Sequence, residues 1–140
     1  VMLNKTEGEV LDAVQSMERR GIIVKYTAIV NDERLSDDYV QALIEVKVSP
    51  QKASGFDAIA EEIYCFDEVK SCYLMSGGYD LAVFIEGKNL REVARFVSER
   101  LSTLDEVQST ATHFILKKYK IEGTITGAEE DRERRISVHA

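Results

Sequence analysis

The chain has 140 residues, 44% of them hydrophobic and 31% charged, and a formal net charge of −7. This is one domain, or a domain plus a fragment, with enough apolar material for a core, and its acidic balance argues against a generally basic nucleic-acid coat. No apolar run nears the roughly 20 residues that span a bilayer, no secretory signal pattern appears, and Cys65 and Cys72 make no disulfide framework, so a reducing cytoplasm without membrane contact is expected.

Residues 1–23 read as a helix end, a turn and a second helix, and the opening on Val1 suggests a start partway into a domain. Val1-Met2-Leu3 closes the first helix. Asn4-Lys5-Thr6 is the turn, with Thr6 as N-cap and Glu9 completing a capping box. Val10, Val14 and Met17 then recur on one stripe, widened by Leu11, and the helix runs over about 6–20. Arg19 and Arg20 suit its last turn, and Gly21 suits the position just past its end. Helix, short turn and capped helix form the outline of a helix-turn-helix, or of any αα-hairpin. Residues 24–40 are a linker: Tyr26 to Val30 is β-rich, Asn31-Asp32 is a turn signal, and Glu33 to Tyr39 is polar.

From residue 41 the pattern changes. Ala42 to Val48 is a strand closed by Ser49-Pro50, and Phe56, Ile59, Ala60 and Ile63 mark an amphipathic helix ending near Phe66. Val69 to Met75 and Leu81 to Glu86 are two strands. Asn89 caps a helix carrying Leu90, Val93, Ala94, Val97 and Leu101 on one face, and Val107 to Tyr119 is a last, long strand. The order β-α-β-β-α-β over 41–120 predicts an α+β fold, a ferredoxin-like βαββαβ sandwich with both helices on one face of an antiparallel sheet, preceded by the partial helix-turn-helix. The sheet's other face is then uncovered, yet the strands are apolar at both parities. A second copy packed sheet to sheet, hence a dimeric α/β sandwich, would cover it; residues 26–30 are the alternative cover. Residues 121–140 form a charged, solvated tail in which Ile136-Ser137-Val138 is a candidate short strand.

The centre of this order is Tyr73 to Ile85, an apolar run, Gly77-Gly78, and a second apolar run. Adjacent glycines suit a tight hairpin turn with positive φ at both central positions. Asp80 stands just before a buried strand, where an unpaired carboxylate is costly. Catalytic patterns are missing. His113 and His139 have no carboxylate at metal-ligand or triad spacing, the cysteines have no CxxC partner, and no P-loop or dinucleotide fingerprint occurs. The chain is therefore expected to be no enzyme and to carry neither metal nor cofactor.

Three features carry a resemblance: the capped helix ending Met17-Glu18-Arg19-Arg20-Gly21-Ile22-Ile23 and followed by Lys25-Tyr26-Thr27-Ala28, the βαββαβ unit with Ser76-Gly77-Gly78-Tyr79-Asp80 at its central hairpin, and Thr110-Ala111-Thr112 in the last strand. Together they resemble the leucine-responsive/asparagine regulator (Lrp/AsnC) family of bacterial and archaeal transcription regulators, over nearly the whole chain to about Lys120. The resemblance implies an N-terminal helix-turn-helix, a β linker and a ligand-sensing (RAM) module. That module dimerises through its sheets, often assembles to octamers, and binds small effectors, usually amino acids, between subunits. It implies effector contacts at Gly77, Gly78, Tyr79 and Asp80, with Thr110 and Thr112 nearby, and DNA contacts at Lys5, Thr6, Gln15 and Arg19. Local readings stand beside these: Asp80 as a cap of the turn, Tyr79, Thr110 and Thr112 as interface residues. The helix carries Glu7, Glu9, Asp12 and Glu18 against Lys5, Arg19 and Arg20, so weak DNA binding by this chain is expected. A stand-alone amino-acid-sensing and assembly module acting through protein partners is the alternative.

Overall fold

The computed structural model describes residues 4–35, 39–49 and 55–126. The chain divides into two compact units, Val1–Val30 and Asn31–Ala140. The expected helix end at residues 1–3, the Ser49-Pro50 stop and the candidate strand at 136–138 lie wholly or partly outside the described residues.

In the first unit, α1 spans Glu7–Arg19. Thr6 Oγ1 accepts the Glu9 N–H at 3.2 Å and Glu9 Oε2 accepts the Thr6 N–H at 2.8 Å, the reciprocal capping box foreseen from the spacing. At the other end Gly21 takes φ +68°, the Ile22 N–H reaches the Met17 carbonyl at 2.9 Å and the Gly21 N–H reaches Glu18 at 3.0 Å. This double closure satisfies two helix-end carbonyls and needs a residue free to be left-handed. Tyr26 to Val30 forms no strand, contrary to the β linker expected over 24–40. An extended segment becomes a strand only by pairing, and no described segment pairs with it. Instead the Tyr26 hydroxyl donates to Glu18 Oε1 at 2.8 Å, a bond that holds its pKa above the ordinary phenol value.

The second unit is built on a four-stranded antiparallel sheet in the order β2-β3-β1-β4, with β1 Val40–Val48, β2 Val69–Leu74, β3 Leu81–Gly87 and β4 Val107–Phe114. Helices α2 (Gly55–Tyr64) and α3 (Leu90–Glu99) complete the ferredoxin-like βαββαβ arrangement. Alternation decides the layers. Ala42, Ile44, Val46 and Val48 of β1 and Leu81, Val83 and Ile85 of β3 point to one side and form one buried cluster with Ile59, Ile63, Val93, Phe96 and Leu101. Phe96 meets Phe66 edge-on at 5.5 Å between ring centres. The phase of α3 differs from expectation: Val93, Phe96 and Val97 turn inward while Leu90 and Ala94 are exposed. Burying the large Phe96 ring removes more apolar surface than burying Ala94, and the helix rotates accordingly.

The opposite sheet face carries Leu43, Glu45, Tyr73, Phe84, Ala111 and His113, as the strand register dictates. Tyr73 and Phe84 meet edge-on, and His113 Nε2 lies 3.3 Å from Glu45 Oε1. Within this unit, no described helix covers this face.

Beyond Phe114 the chain differs from the single long strand expected to Tyr119. One more ladder bond, Ile115 N–H to Gln41 carbonyl at 2.8 Å, ends the pairing. A separate two-stranded hairpin follows, β5 (Lys120–Ile121) and β6 (Thr124–Ile125). Its turn residues Glu122 and Gly123 take φ +44° and +81°. The charged tail expected from 121 therefore begins as folded chain.

Candidate functional site

The loop of interest joins β2 to β3. Leu74 pairs with Leu81, and the Met75 N–H donates to the Asp80 carbonyl at 2.8 Å, so the loop proper is Ser76-Gly77-Gly78-Tyr79. It is not the two-residue turn the glycine pair suggests. Neither Gly77 nor Gly78 has positive φ, and a Cβ placed on either would meet nothing within 4 Å. The short turn with left-handed residues occurs at Glu122-Gly123 instead. A four-residue connection closes the β2–β3 hairpin without left-handed backbone, which relieves the glycines of that duty.

Asp80 is committed locally. Its Oδ2 accepts the Val48 N–H at 2.9 Å, and its own N–H donates to the Val46 carbonyl at 3.0 Å. The carboxylate thus completes the hydrogen bonding at the end of β1. Tyr79 is half-buried beside it, whereas Ser76, Gly77 and Gly78 are exposed. The loop is bordered by exposed apolar side chains, Leu74 and Met75.

Thr110 and Thr112 do not join this loop. They pair with Val46 and Ile44 and so share the helix-facing side of the sheet, one strand beyond β1, and the Thr110 hydroxyl lies 3.5 Å from that of Ser102. Their half-buried state follows from cover by the short turn Leu101–Thr103. As sheet-to-sheet interface residues they are on the wrong face; Ala111 and His113 are on the open one. The parity of β4 was readable in the sequence, but which parity meets the helices depends on the register with β1.

Of the DNA-contact positions, Thr6 has its hydroxyl engaged by the cap and Lys5 lies 3.9 Å from Glu9. Gln15 and Arg19 are exposed and one turn apart, so they share a face, and Asp12 stands on the same face at spacings of three and seven. Cys72 is half-buried in β2, where burial pushes its thiol pKa up; Cys65 is exposed. Among the described residues no group of three or more His, Cys, Asp or Glu is placed to hold a metal, and no helix is long and apolar enough to cross a membrane. A cavity of about 390 Å³, missed in the sequence, lies at the other end of the sheet beside Gln41 and Glu86. Its walls come from three separated segments, so no local pattern announces it.

Residues 41–125 match the family model described as the Lrp/AsnC ligand binding domain. The uncharacterized HTH-type transcriptional regulator YugG of Bacillus subtilis is 50% identical over 90% of this chain and 76% of its own length. HTH-type transcriptional regulator FL11 of Pyrococcus furiosus is 30% identical over 81% of this chain and 72% of its own. Among solved structures, Escherichia coli AsnC superposes with a TM-score of 0.68 at 21% identity, covering 90% of this chain and 82% of that one. A transcriptional regulator of Neisseria meningitidis in complex with L-Met does so at 0.68 and 24%, covering 86% and 77%. These likenesses support the fold, and the family model with the two relatives supports the kinship. The chain belongs to the Lrp/AsnC family of transcription regulators, is a regulatory protein rather than an enzyme, and contains that family's ligand-binding domain.

Proposed function

We infer that the chain is a ligand-responsive regulator that senses a small effector, an amino acid, at a subunit interface beside residues 76–80 and couples it to self-assembly and DNA binding. The observation that carries this is the glycine pair. Gly77 and Gly78 are needed neither for left-handed backbone nor for space inside this chain. Bare backbone on an exposed loop is then useful toward something outside the chain, where exposed N–H groups can approach a carboxylate closely. With Asp80 Oδ2 bound to Val48, the other oxygen, Oδ1, is the one available to an ammonium. The L-Met held by the Neisseria meningitidis regulator is consistent with such an effector.

Assembly follows from the open face. Leu43, Phe84, Tyr73 and Ala111 form an apolar surface on the uncovered side of the sheet, and a second copy related by a two-fold axis covers the same patch on both chains. Higher assembly, to octamers, would build on such dimers. DNA binding through α1 is weak in this chain, because Asp12 shares the face of Gln15 and Arg19 and opposes the phosphate backbone. That acidic helix also favours a second reading, a sensing and assembly module acting through protein partners.

The test is calorimetric titration of the twenty L-amino acids, with mass followed by light scattering. The expected result is that at least one amino acid changes the mass on binding, and that Gly78→Val removes that mass change and the binding linked to it while leaving the fold intact. Binding and assembly that are indifferent to Gly78→Val would rule the loop out as the effector site.

A further inference from the structure

We propose that the cavity at the far end of the sheet is a second small-molecule site, built for a dipolar ligand that carries an ammonium and a carboxylate. It is separate from the hairpin loop. Gln41 and Glu86 border the cavity and are paired across β1 and β3, whereas the loop adjoins Val46. The five residue steps along β1 between those levels span about 16 Å.

The cavity is assembled rather than incidental. The Glu122-Gly123 turn folds the chain back so that Thr126 donates its hydroxyl to the Lys118 carbonyl at 2.8 Å and its N–H to the Tyr119 carbonyl at 3.1 Å. Asn31 Nδ2 in turn donates to the Thr126 carbonyl at 2.9 Å, and Lys118 pairs with Asp32. Thr126 is the buried polar residue among those described, 9% exposed, at the knot where these segments meet. The cavity, partly open to solvent, has a volume of about 390 Å³, within the range of small-ligand pockets.

The lining decides the chemistry. Asp32 and Glu86 are set against Lys117 and Lys118, with Ile115 and Ile121 as apolar walls. Among the described lining residues both signs of charge are present, with Lys118 already paired to Asp32. A molecule with both signs can exchange partners with these groups: its ammonium beside Glu86, of which Gln41 engages only Oε2 at 2.9 Å, and its carboxylate beside the lysines. The apolar walls suit an uncharged side chain. Because Gln41 and Glu86 belong to the open face of the sheet, a ligand here would lie at the margin of the surface offered to a second copy.

The test uses the whole chain and a panel of neutral L-amino acids, each compared with its N-acetyl and methyl-ester forms, by calorimetry and backbone amide NMR. The expected result is binding that shifts the Ile121 and Thr126 amides, is lost on blocking either charged end, and weakens by about tenfold or more in Glu86→Gln and Lys118→Met. Gly78→Val leaves it unchanged. Glu86→Gln keeps the side-chain shape, so its effect is separable from misfolding. Binding that is lost in Gly78→Val but untouched by Glu86→Gln would sink this site and leave the hairpin effector loop standing; the reverse pattern would sink the loop and leave this site. Binding that survives both blocked forms, or no amide shifts at Ile121 and Thr126, also overturns it.

Discussion

The carboxylate of Asp80, at the threshold of β3, accepts the backbone N–H of Val48, the last residue of β1, at 2.9 Å. The β1–β3 ladder ends at Val46–Leu81 and offers this group no partner, so an acidic side chain from the β2–β3 hairpin supplies one.

Removing that acceptor leaves a part-buried N–H unsatisfied. Asp80→Ala is expected to lower stability by about 1–3 kcal/mol, and Asp80→Asn by less because the amide oxygen still accepts. Urea unfolding with an unchanged m-value checks this, and equal loss in the two variants would point to a role other than the hydrogen bond.

The glycines separate into two kinds. Gly77→Ala and Gly78→Ala are expected to be neutral or to stabilise by about 0.4–1 kcal/mol, since each site has ordinary φ and open space. Gly123→Ala, at φ +81°, is expected to cost about 1–2 kcal/mol. Thermal melts of the three variants make the comparison directly.

On the open face, Ala111→Glu places a charge on the surface proposed to meet a second copy. Light scattering should show smaller species with an unchanged far-UV spectrum. Retention of the original mass would place the interface elsewhere.

Thiol chemistry distinguishes the two cysteines. Cys65 is exposed and is expected to be labelled first by a maleimide at neutral pH, with Cys72 following slowly. Burial raises the folded pKa of Cys72 above the ordinary thiol value, so its contribution to stability is complete below that ordinary value and declines as pH rises through the raised folded value. Unfolding midpoints of the wild type measured at neutral and alkaline pH, compared with Cys72→Ala, report that decline as a pH-dependent difference.

For DNA, Asp12→Lys is expected to strengthen non-specific binding and steepen its salt dependence by about one unit of slope. Gel shifts across a salt series measure both. Tight binding by the unmodified chain at moderate salt would contradict the weak affinity assigned to α1.

Much of this was legible along the chain because it is local. The Thr6–Glu9 capping box and the Gly21 closure use residues within five positions of each other, and each side chain's chemistry admits few other roles there. The βαββαβ order was legible for the same reason, since alternation and the three-to-four-residue repeat are written residue by residue. The Gly77-Gly78 turn was misread because glycine permits left-handed backbone without requiring it. Glu122-Gly123, less conspicuous, adopts it because a two-residue connection between β5 and β6 leaves no alternative.

Sequence alone therefore determined α1, the βαββαβ order and the family, all of which rest on short-range patterns, but not the end of the last strand or the β5–β6 hairpin. Tertiary structure decided the face presented by Thr110 and Thr112, the partner of Asp80, the turn of α3 toward Phe96, and the cavity beside Glu86. Each depends on strand register or on segments far apart in the chain, and register is settled only when whole surfaces compete for burial.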